Sequence, residues 1–223
     1  MESISQFSPS STPDRWLWLG DGIHGFKVKD AFQLLENLTP NRRQMDLNEE
    51  FIFKRLWKCA APSKVRAFVW QTLLGRVPTK TNLLKRRMIT TEQVMCVFCG
   101  RCPELEIHLF LYCDGAFKVW CDIMRWLGYC MVSPPNLMTS FAMWITCSNN
   151  KRERNGMALV WCACVWVLWK VRNNCVFNNL AIELVEVTDQ IKLTSWQWFI
   201  GRMAKSPCLL YEWQWGPLIC MRN

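Results

Sequence analysis

The fold is decided by the stretch CVFCGRCPELEIHLFLYC, which occupies residues 96–113. It begins with two cysteines separated by two residues, Cys96 and Cys99, and continues to His108 and Cys113. Zinc prefers four tetrahedral ligands from thiolates and imidazoles, and a CxxC pair followed by a second close pair is how a short segment supplies them. The spacing therefore predicts a zinc site. Four protein ligands leave no open coordination position, so the predicted Zn²⁺ is structural and contributes folding free energy.

Two alternatives to this ligand set stay open at the level of sequence. The four residues could be ordinary buried thiols and a hydrogen-bonded histidine, since free cysteine is among the most buried residue types. Cys102 forms a second CxxC pair with Cys99 and could replace a ligand. We treat Cys102 as a bystander.

The composition is that of a globular protein kept in a reducing compartment. Hydrophobic residues make up 51% of the 223 residues and charged residues 20%. The N-terminus shows no basic segment followed by an apolar one, so the 13 cysteines predict thiols and not a secreted disulfide framework. We expect an intracellular protein, neither secreted nor transmembrane, and the nucleus is compatible with this expectation.

Helical periodicity dominates the chain. Pro62 and Gly75 bound one amphipathic pattern, and Thr79 caps a shorter one that turns Leu83 and Leu84 inward. A third helix is predicted from an N-cap at Asp114 to a glycine at position 128. Residues 155–172 predict a buried helix, because the apolar run is too short for a membrane span of about 20 residues. A last amphipathic helix is predicted over about 182–200, with Leu184, Val187, Ile191 and Trp198 on one face.

The predicted fold class is mainly α, with a short N-terminal β element before the zinc-binding helical domain and a Trp-rich helical region after it. The β element is predicted from Trp16 and Trp18, a glycine-rich turn, and Phe26 and Val28. The predicted organisation is a disordered lead-in at 1–14, the zinc-binding domain at 15–128, a linker at 129–152 and the C-terminal region at 153–223.

Positive charge is concentrated in one part of the sequence. The net charge is +9, and residues 42–87 hold 12 basic and three acidic side chains. Such a surface favours polyanions, nucleic acid first, although a solvated face that aids solubility is an equally good interpretation. The candidate nucleic-acid-binding residues are Lys54, Arg55, Lys64, Arg66, Arg76, Lys80, Lys85, Arg86 and Arg87.

No catalytic constellation is found in the sequence. Two histidines and scattered acidic residues offer no set of nucleophile, base and orienting group, and no glycine-rich loop is suited to cradle phosphates. We therefore expect a protein that is not an enzyme.

The zinc segment and its flanks resemble the zinc-binding domain that follows the reverse transcriptase in plant non-LTR (LINE-type) retrotransposon proteins. The resemblance covers about residues 15–125, and stretches of the C-terminal region resemble what often follows in such proteins. The matching pieces are Trp18, Gly25–Phe32, Leu56–Lys58, Pro62–Val65, Phe68–Trp70, Gly75–Thr79, Leu83, Arg86, Arg87, Cys96, Cys99, Glu104, His108–Phe110, Cys113, Val119 and Trp120, then Trp166, Trp169–Asn173 and Ser195–Trp198.

The resemblance implies the ligand role for Cys96, Cys99, His108 and Cys113, and a domain that helps its parent polyprotein handle nucleic acid. This chain carries no paired-aspartate polymerase motif and no ribonuclease H segment, so we expect a retroelement remnant or a free-standing derivative. The function hypothesis is a non-catalytic zinc-binding module that contacts RNA or DNA backbone without reading sequence. The alternatives are a protein-interaction or scaffold domain that uses the Trp-rich region, and a remnant with no selected function.

Overall fold

A computed structural model describes residues 26–38, 46–178, 184–204 and 207–222. The helices are, in chain order, α1 (Val28–Leu38), α2 (Leu47–Lys58), α3 (Ser63–Leu73), α4 (Lys80–Lys85), α5 (Asp114–Trp126), α6 (Leu137–Thr146), α7 (Lys151–Asn178), α8 (Leu184–Arg202), α9 (Leu210–Trp215) and α10 (Pro217–Arg222). A 3₁₀ turn covers Thr91–Gln93 and a π-helical turn His108–Tyr112. Residues 1–45 and 46–223 form two separate compact units. No helix in the described ranges combines the length and apolarity needed to cross a bilayer.

The predicted N-terminal β element is not found where it can be examined. Most of that prediction, including Trp16, Trp18 and the glycine-rich turn, lies outside the described residues, as does the 1–14 lead-in. Val28 begins α1, and the Lys27 carbonyl accepts hydrogen bonds from the amides of Asp30 and Ala31. Within the described residues extended pairing is limited to one bridge, between Met95 and Pro103. The mainly α prediction is confirmed.

The structure confirms the predicted boundaries of α3 and the predicted cap of α4. Pro62 is the N-cap residue of α3, and Gly75 adopts a φ of +65° just beyond its end. The Thr79 side chain accepts a 3.4 Å hydrogen bond from the Asn82 amide. A left-handed glycine and an N-cap hydroxyl are the usual ways to satisfy orphan groups at helix ends.

The inward face of α4 differs from the prediction. Leu83 and Leu84 are half-buried, and Asn82 is the buried side chain. Its amide donates to the carbonyls of Gly75 at 2.8 Å and Val77 at 2.9 Å. A buried amide is stable only when hydrogen-bonded, so Asn82 ties α4 to the turn that precedes it.

Helix α5 follows the zinc segment directly. The prediction that Asp114 is its N-cap was wrong, because Cys113 takes the N-cap position and Asp114 is the first helical residue. Its carboxylate instead contacts the Arg101 guanidinium in the preceding loop. Gly128 adopts a φ of +77° after the helix, as its position predicts. The Tyr129 amide closes this end with a 2.8 Å hydrogen bond to the Met124 carbonyl.

Helix α7 is the centre of the core of residues 46–223. It packs against α3, α6, α8 and α10, and residues 156–165 are buried on every face, which confirms the predicted buried helix. Trp161 is fully buried, lies 5.0 Å from the Phe141 ring and 6.1 Å from the Trp120 ring, and donates to Ser140 Oγ at 3.0 Å. The tryptophan density is thus explained largely by packing.

The predicted domain limits stay a prediction, but the packing crosses them. The stretch 129–152 contains α6, whose buried residues include Phe141 and Trp144. Helix α8 buries Val187, Ile191 and Phe199, whereas Trp198 is half-buried. Beyond it, α9 inserts Trp213 beside Phe199, with ring centroids 4.6 Å apart. The C-terminal region therefore completes the core around α7.

Two glycines test the role of backbone conformation at helix ends. Gly128→Ala should lower the free energy of unfolding by about 1–2 kcal/mol, because an L-residue pays that much for a left-handed conformation. An added Cβ would meet no atom within 4 Å there, so steric crowding does not contribute. Gly201→Ala is the matched control: it is exposed, helical and equally uncrowded, and it should raise stability by up to about 1 kcal/mol. Urea denaturation of both variants measures the difference, and equal effects would contradict the assignment.

Candidate metal centre

The first two predicted ligands lie on a tight turn held by backbone hydrogen bonds. The bridge between Met95 and Pro103 closes the turn, and the Cys96 amide donates to the Cys102 carbonyl at 2.8 Å. At its tip the Gly100 amide donates to the Cys96 carbonyl at 2.8 Å, with Gly100 at a φ of +64°. The turn thereby places the side chains of Cys96 and Cys99 beside each other.

The other two ligands are spaced by one turn of π-helix. The Cys113 amide donates to the His108 carbonyl at 2.7 Å, which is the i to i+5 hydrogen bond of a π-helix. A π-helical turn hydrogen-bonds residue i to residue i+5, is rare in proteins, and is frequently found at functional sites. The intervening Leu109, Phe110 and Leu111 are fully buried. The turn therefore brings His108 and Cys113 into the ligand cluster, and the three side chains between them are part of the core.

The structure brings all four predicted ligands together. The ligand atoms of Cys96, Cys99, His108 and Cys113 lie within 4.8 Å of one another. The Sγ atoms of Cys96 and Cys113 are 3.9 Å apart, and Cys99 Sγ lies 3.3 Å from His108 Nε2. Tetrahedral ligation with Zn–S bonds of about 2.3 Å separates two sulfurs by about 3.8 Å. The donors and their spacing fit Zn²⁺, and no fifth ligand is required.

The surroundings of the thiols are those of a structural site. Cys96 and Cys113 are buried, and Cys99 is half-buried. The contact with Cys113, together with burial, raises the pKa of Cys96, while the same contact lowers the pKa of Cys113. The Phe98 amide donates to Cys96 Sγ at 3.4 Å, a hydrogen bond that favours a thiolate. A metal ion would replace the proton on Cys96 as the partner of its sulfur.

Cys102 stands apart from the ligand cluster. Its side chain is exposed, and its carbonyl, not its sulfur, takes part in the turn. It lines a surface depression together with Arg101, Asp114 and two of the ligands, Cys99 and His108, but its sulfur does not belong to the cluster of ligand atoms. Among the described residues the candidate metal cluster consists of Cys96, Cys99, His108 and Cys113.

A buried ion pair links the zinc loop to α7, and sequence reasoning assigned it no role. Glu104 lies between the two ligand pairs, and its Oε1 accepts from Arg172 Nη2 at 2.7 Å and Nε at 3.1 Å. The same oxygen accepts from the Lys80 amide at 3.0 Å. Glu104 and Arg172 are both almost fully buried, and the Arg172 guanidinium lies 4.9 Å from the centre of the Trp169 ring. Both residues occur in the family resemblance, which was the available signal.

Several of the predicted nucleic-acid-binding cations make contacts within the protein. Lys54 pairs with Glu50 at 2.6 Å, and Arg66 donates to the Trp57 carbonyl and to Ser63. Lys80 Nζ donates to the Met95 carbonyl at 2.8 Å, beside the zinc turn. Three more cations lie over aromatic rings, at 5.4 to 5.9 Å from the ring centres: Arg55 over Phe51, Lys64 over Trp166, and Arg76 over Trp70.

The remaining three cations form one exposed group where α4 ends. Lys85, Arg86 and Arg87 are consecutive and exposed, and Arg87 adopts a φ of +58°. Arg86 Nη2 donates to the Arg76 carbonyl at 3.2 Å, which brings exposed Arg76 close to this group. In the described part of the chain no acidic side chain forms an ion pair with any of the four. We call Arg76, Lys85, Arg86 and Arg87 the α4 basic group.

Comparison with known proteins agrees with the site. Residues 26–120 match a protein family described as zinc-binding in reverse transcriptase. This segment is a reverse-transcriptase zinc-binding domain. The match confirms the zinc-binding reverse-transcriptase domain that the resemblance implied, over residues 26–120, and the cluster of Cys96, Cys99, His108 and Cys113 is consistent with the zinc site of that domain.

A relative extends the similarity beyond the zinc-binding domain. The chain is 22% identical over 198 residues to a putative ribonuclease H protein of Arabidopsis thaliana, a stretch that covers 84% of this chain. The chain spans only 28% of that relative's length. No solved structure matches the chain.

Metal analysis tests the ligand set. Protein purified under reducing conditions should contain about one Zn²⁺ per chain, and Cys96→Ser or His108→Ala should abolish stoichiometric binding because three ligands remain. Cys102→Ser is the matched control and should retain the metal. Inductively coupled plasma mass spectrometry measures the content, and loss of zinc from the Cys102 variant with retention in the Cys96 variant would contradict the assignment.

The buried ion pair predicts a second, separable effect. Arg172→Met should lower the free energy of unfolding by about 3–5 kcal/mol, because it leaves the Glu104 carboxylate buried without its partner. Lys54→Met breaks the exposed pair with Glu50 and should cost at most about 1 kcal/mol. Denaturation of the zinc-loaded proteins in urea compares them. Similar losses for the two variants would show that the Glu104–Arg172 pair is not important for stability.

Proposed function

We propose that this chain is a non-catalytic zinc-binding module of retrotransposon origin that contacts nucleic-acid backbone through the α4 basic group. The observation that carries the proposal is the exposure of Arg76, Lys85, Arg86 and Arg87 side by side, without acidic partners in the described residues. Phosphate contacts require cations that are accessible and not already neutralised. The membership of residues 26–120 in a reverse-transcriptase family supports nucleic acid as the polyanion.

The proposal narrows the set of contacting residues. Lys80 and Arg66 are half-buried and donate to backbone carbonyls, so they are less accessible to a phosphate than Arg86, which also donates to a carbonyl but is exposed. Lys54 and Arg55, on α2, and Lys64, on α3, are engaged within the protein by an ion pair or an aromatic ring and are left out of the narrowed set. A competing explanation for Lys85 is that a cation in the last turn of a helix stabilises the helix dipole. That explanation does not account for Arg76 or for Arg87, which lie outside α4.

The absence of catalysis is part of the proposal. Hydrolysis of phosphodiesters with a divalent metal uses clustered carboxylates and an open coordination position. In the described residues the cluster suited to a metal contains three thiols and one imidazole and no carboxylate. The activity named for the Arabidopsis relative is therefore not proposed for this chain.

The protein-interaction alternative has lost part of its motivation. It rested on the large apolar residues between Trp144 and Trp169, and of these Trp144, Trp161 and Trp169 are buried in the core. Exposed aromatic side chains do occur at the C-terminal end, at Tyr211 and Trp215. A retroelement remnant with no selected function stays a third hypothesis, which nucleic-acid binding alone would not exclude.

Salt-dependent binding tests the proposal. The zinc-loaded chain should bind a fluorescent single-stranded RNA of mixed sequence at low salt, with an affinity that falls steeply as salt is added. Replacing Lys85, Arg86 and Arg87 by Gln should reduce the slope of log K against log salt by about 2, at about 0.7 per phosphate contact. Fluorescence anisotropy at a series of salt concentrations measures both quantities.

A second triple variant with the same net charge separates a specific surface from general charge. Lys118, Lys151 and Lys170 are exposed cations on α5 and α7, outside the proposed surface. Their replacement by Gln should leave the slope nearly unchanged. Absence of binding at low salt, or equal effects of the two triple variants, would refute the proposal.

A further inference from the structure

Two cysteines near the C-terminus, far in sequence from the zinc ligands, lie unusually close together. Cys208 precedes α9 and Cys220 lies in α10, and their Sγ atoms are 2.7 Å apart. A disulfide bond requires about 2.05 Å, so the sulfurs need approach by only about 0.7 Å. Another non-zinc pair, Cys59 and Cys162, has sulfurs 4.0 Å apart.

The Cys208–Cys220 pair opens onto solvent. Both residues line a cleft of about 340 Å³, together with Tyr211, Trp215 and Ile219, whose side chains are exposed. Cys220 is half-buried, whereas Cys208 is buried at the base of the cleft. Cys59 and Cys162 are both buried in the core and lack such access. A small oxidant can therefore reach one pair and not the other.

Both elements that carry the pair are anchored. Trp196 Nε1 donates to the Cys208 carbonyl at 2.9 Å, which holds this residue against α8. On the other side, Arg222 Nε donates to Glu153 Oε2 at 2.9 Å, and Met221 is fully buried next to Gly156 of α7. The short distance between the sulfurs is therefore set by the tertiary packing on both sides.

We propose that Cys208 and Cys220 are a reversible modification site, at which a peroxide oxidises the two thiols to an intramolecular disulfide. This inference does not depend on zinc or on nucleic-acid binding. In a reducing compartment the pair is a dithiol, which a thiol reductant regenerates from the disulfide by exchange.

The reaction balances with one peroxide per disulfide. Cys220 Sγ attacks a peroxide oxygen and the O–O bond breaks. After proton transfer the products are one water and a sulfenic acid on Cys220. Cys208 Sγ then attacks the Cys220 sulfur, and the departing hydroxide takes the Cys208 proton as a second water. In total the two thiols lose two electrons and two protons, and the peroxide takes up both and becomes the two waters. Burial and the contact with Cys220 raise the pKa of Cys208 to about 12, so Cys220 is the sulfur that reacts first.

The bond would join the segment before α9 to α10 and enclose α9 in a covalent ring. Such a ring lowers the conformational entropy of the unfolded chain, and the packed ends indicate little distortion of the folded one. Oxidation should therefore raise the midpoint of thermal unfolding and protect the amides of α9 and α10 from hydrogen exchange.

Peptide mass spectrometry of the full, zinc-loaded chain tests the proposal. Trypsin releases residues 206–222 as one peptide that contains Cys208 and Cys220 and no other cysteine. After hydrogen peroxide treatment, alkylation in denaturant and digestion, this peptide should appear without alkylation and two hydrogens lighter. Reduction before alkylation should restore the doubly alkylated form. Cys59 and Cys162 should remain alkylated throughout, which controls for general oxidation.

Zinc release, followed with a chromogenic chelator, shows whether the zinc thiolates are attacked first. The disulfide is expected at peroxide concentrations that leave zinc bound. Doubly alkylated peptide after treatment, sulfinic acid at either cysteine in place of the disulfide, or disulfide formation only after zinc is lost would overturn the proposal. Cys220→Ser should give the singly alkylated peptide in both conditions, whereas Cys208→Ser should hold Cys220 as a sulfenic acid that a thiol reductant returns to the alkylatable thiol. A disulfide from either variant to another cysteine would equally contradict the proposal.

Discussion

A carboxylate and a guanidinium removed together from water constrain the arrangement of the helices around the zinc loop. Glu104 and Arg172 are 68 residues apart, and each would be costly to bury alone. Oε1 of Glu104 accepts hydrogen bonds from Nε and Nη2 of Arg172 and from the Lys80 amide. The zinc loop, α4 and α7 therefore meet at this one atom. Displacement of the loop from α7 would separate the two charges and leave a buried charge without its partner.

The same segment supplies metal ligands and core side chains. Between His108 and Cys113 the chain turns Leu109, Phe110 and Leu111 into the core, and the Phe110 ring lies 6.2 Å from that of Trp169 in α7. Trp120 Nε1 of α5 donates to the Phe110 carbonyl. Ligation of zinc and burial of these residues therefore stabilise one conformation together, which is how a closed zinc site contributes to folding.

The positive charge of this protein is divided between contacts within the fold and exposed surface, and composition does not show that division. Part of the cluster at residues 42–87 is used inside the fold, through hydrogen bonds to carbonyls or contacts with aromatic rings, as for Arg66 and Lys64. The α4 basic group is exposed and forms no ion pair within the described residues, although its Arg76 also lies over the Trp70 ring. A net charge of +9 therefore overstates the surface available to a polyanion, because the charges within the fold are already partly compensated.

Most helices and the four ligands could be predicted from the sequence, since both depend on short-range regularities. Cap residues, a 3.6-residue period and the spacing of cysteines and a histidine are local, and local chemistry determines them, as at Thr79, Gly75 and the Cys96–Cys99 turn. The wrong N-cap at Asp114 and the burial of Asn82 in place of Leu83 and Leu84 arose because partners outside the helix decided each case: Arg101 attracts Asp114, and two carbonyls hold Asn82.

Only the tertiary structure decided which distant residues meet. Sequence alone established a mainly helical, cysteine-rich and basic chain with a four-ligand zinc pattern, because those properties belong to single segments. It did not establish that Glu104 pairs with Arg172, that the Trp-rich region completes the core around α7, or which cations stay exposed. Those outcomes depend on contacts between residues far apart in the chain, where burial turns an ordinary side chain into a constraint and no local pattern records its partner.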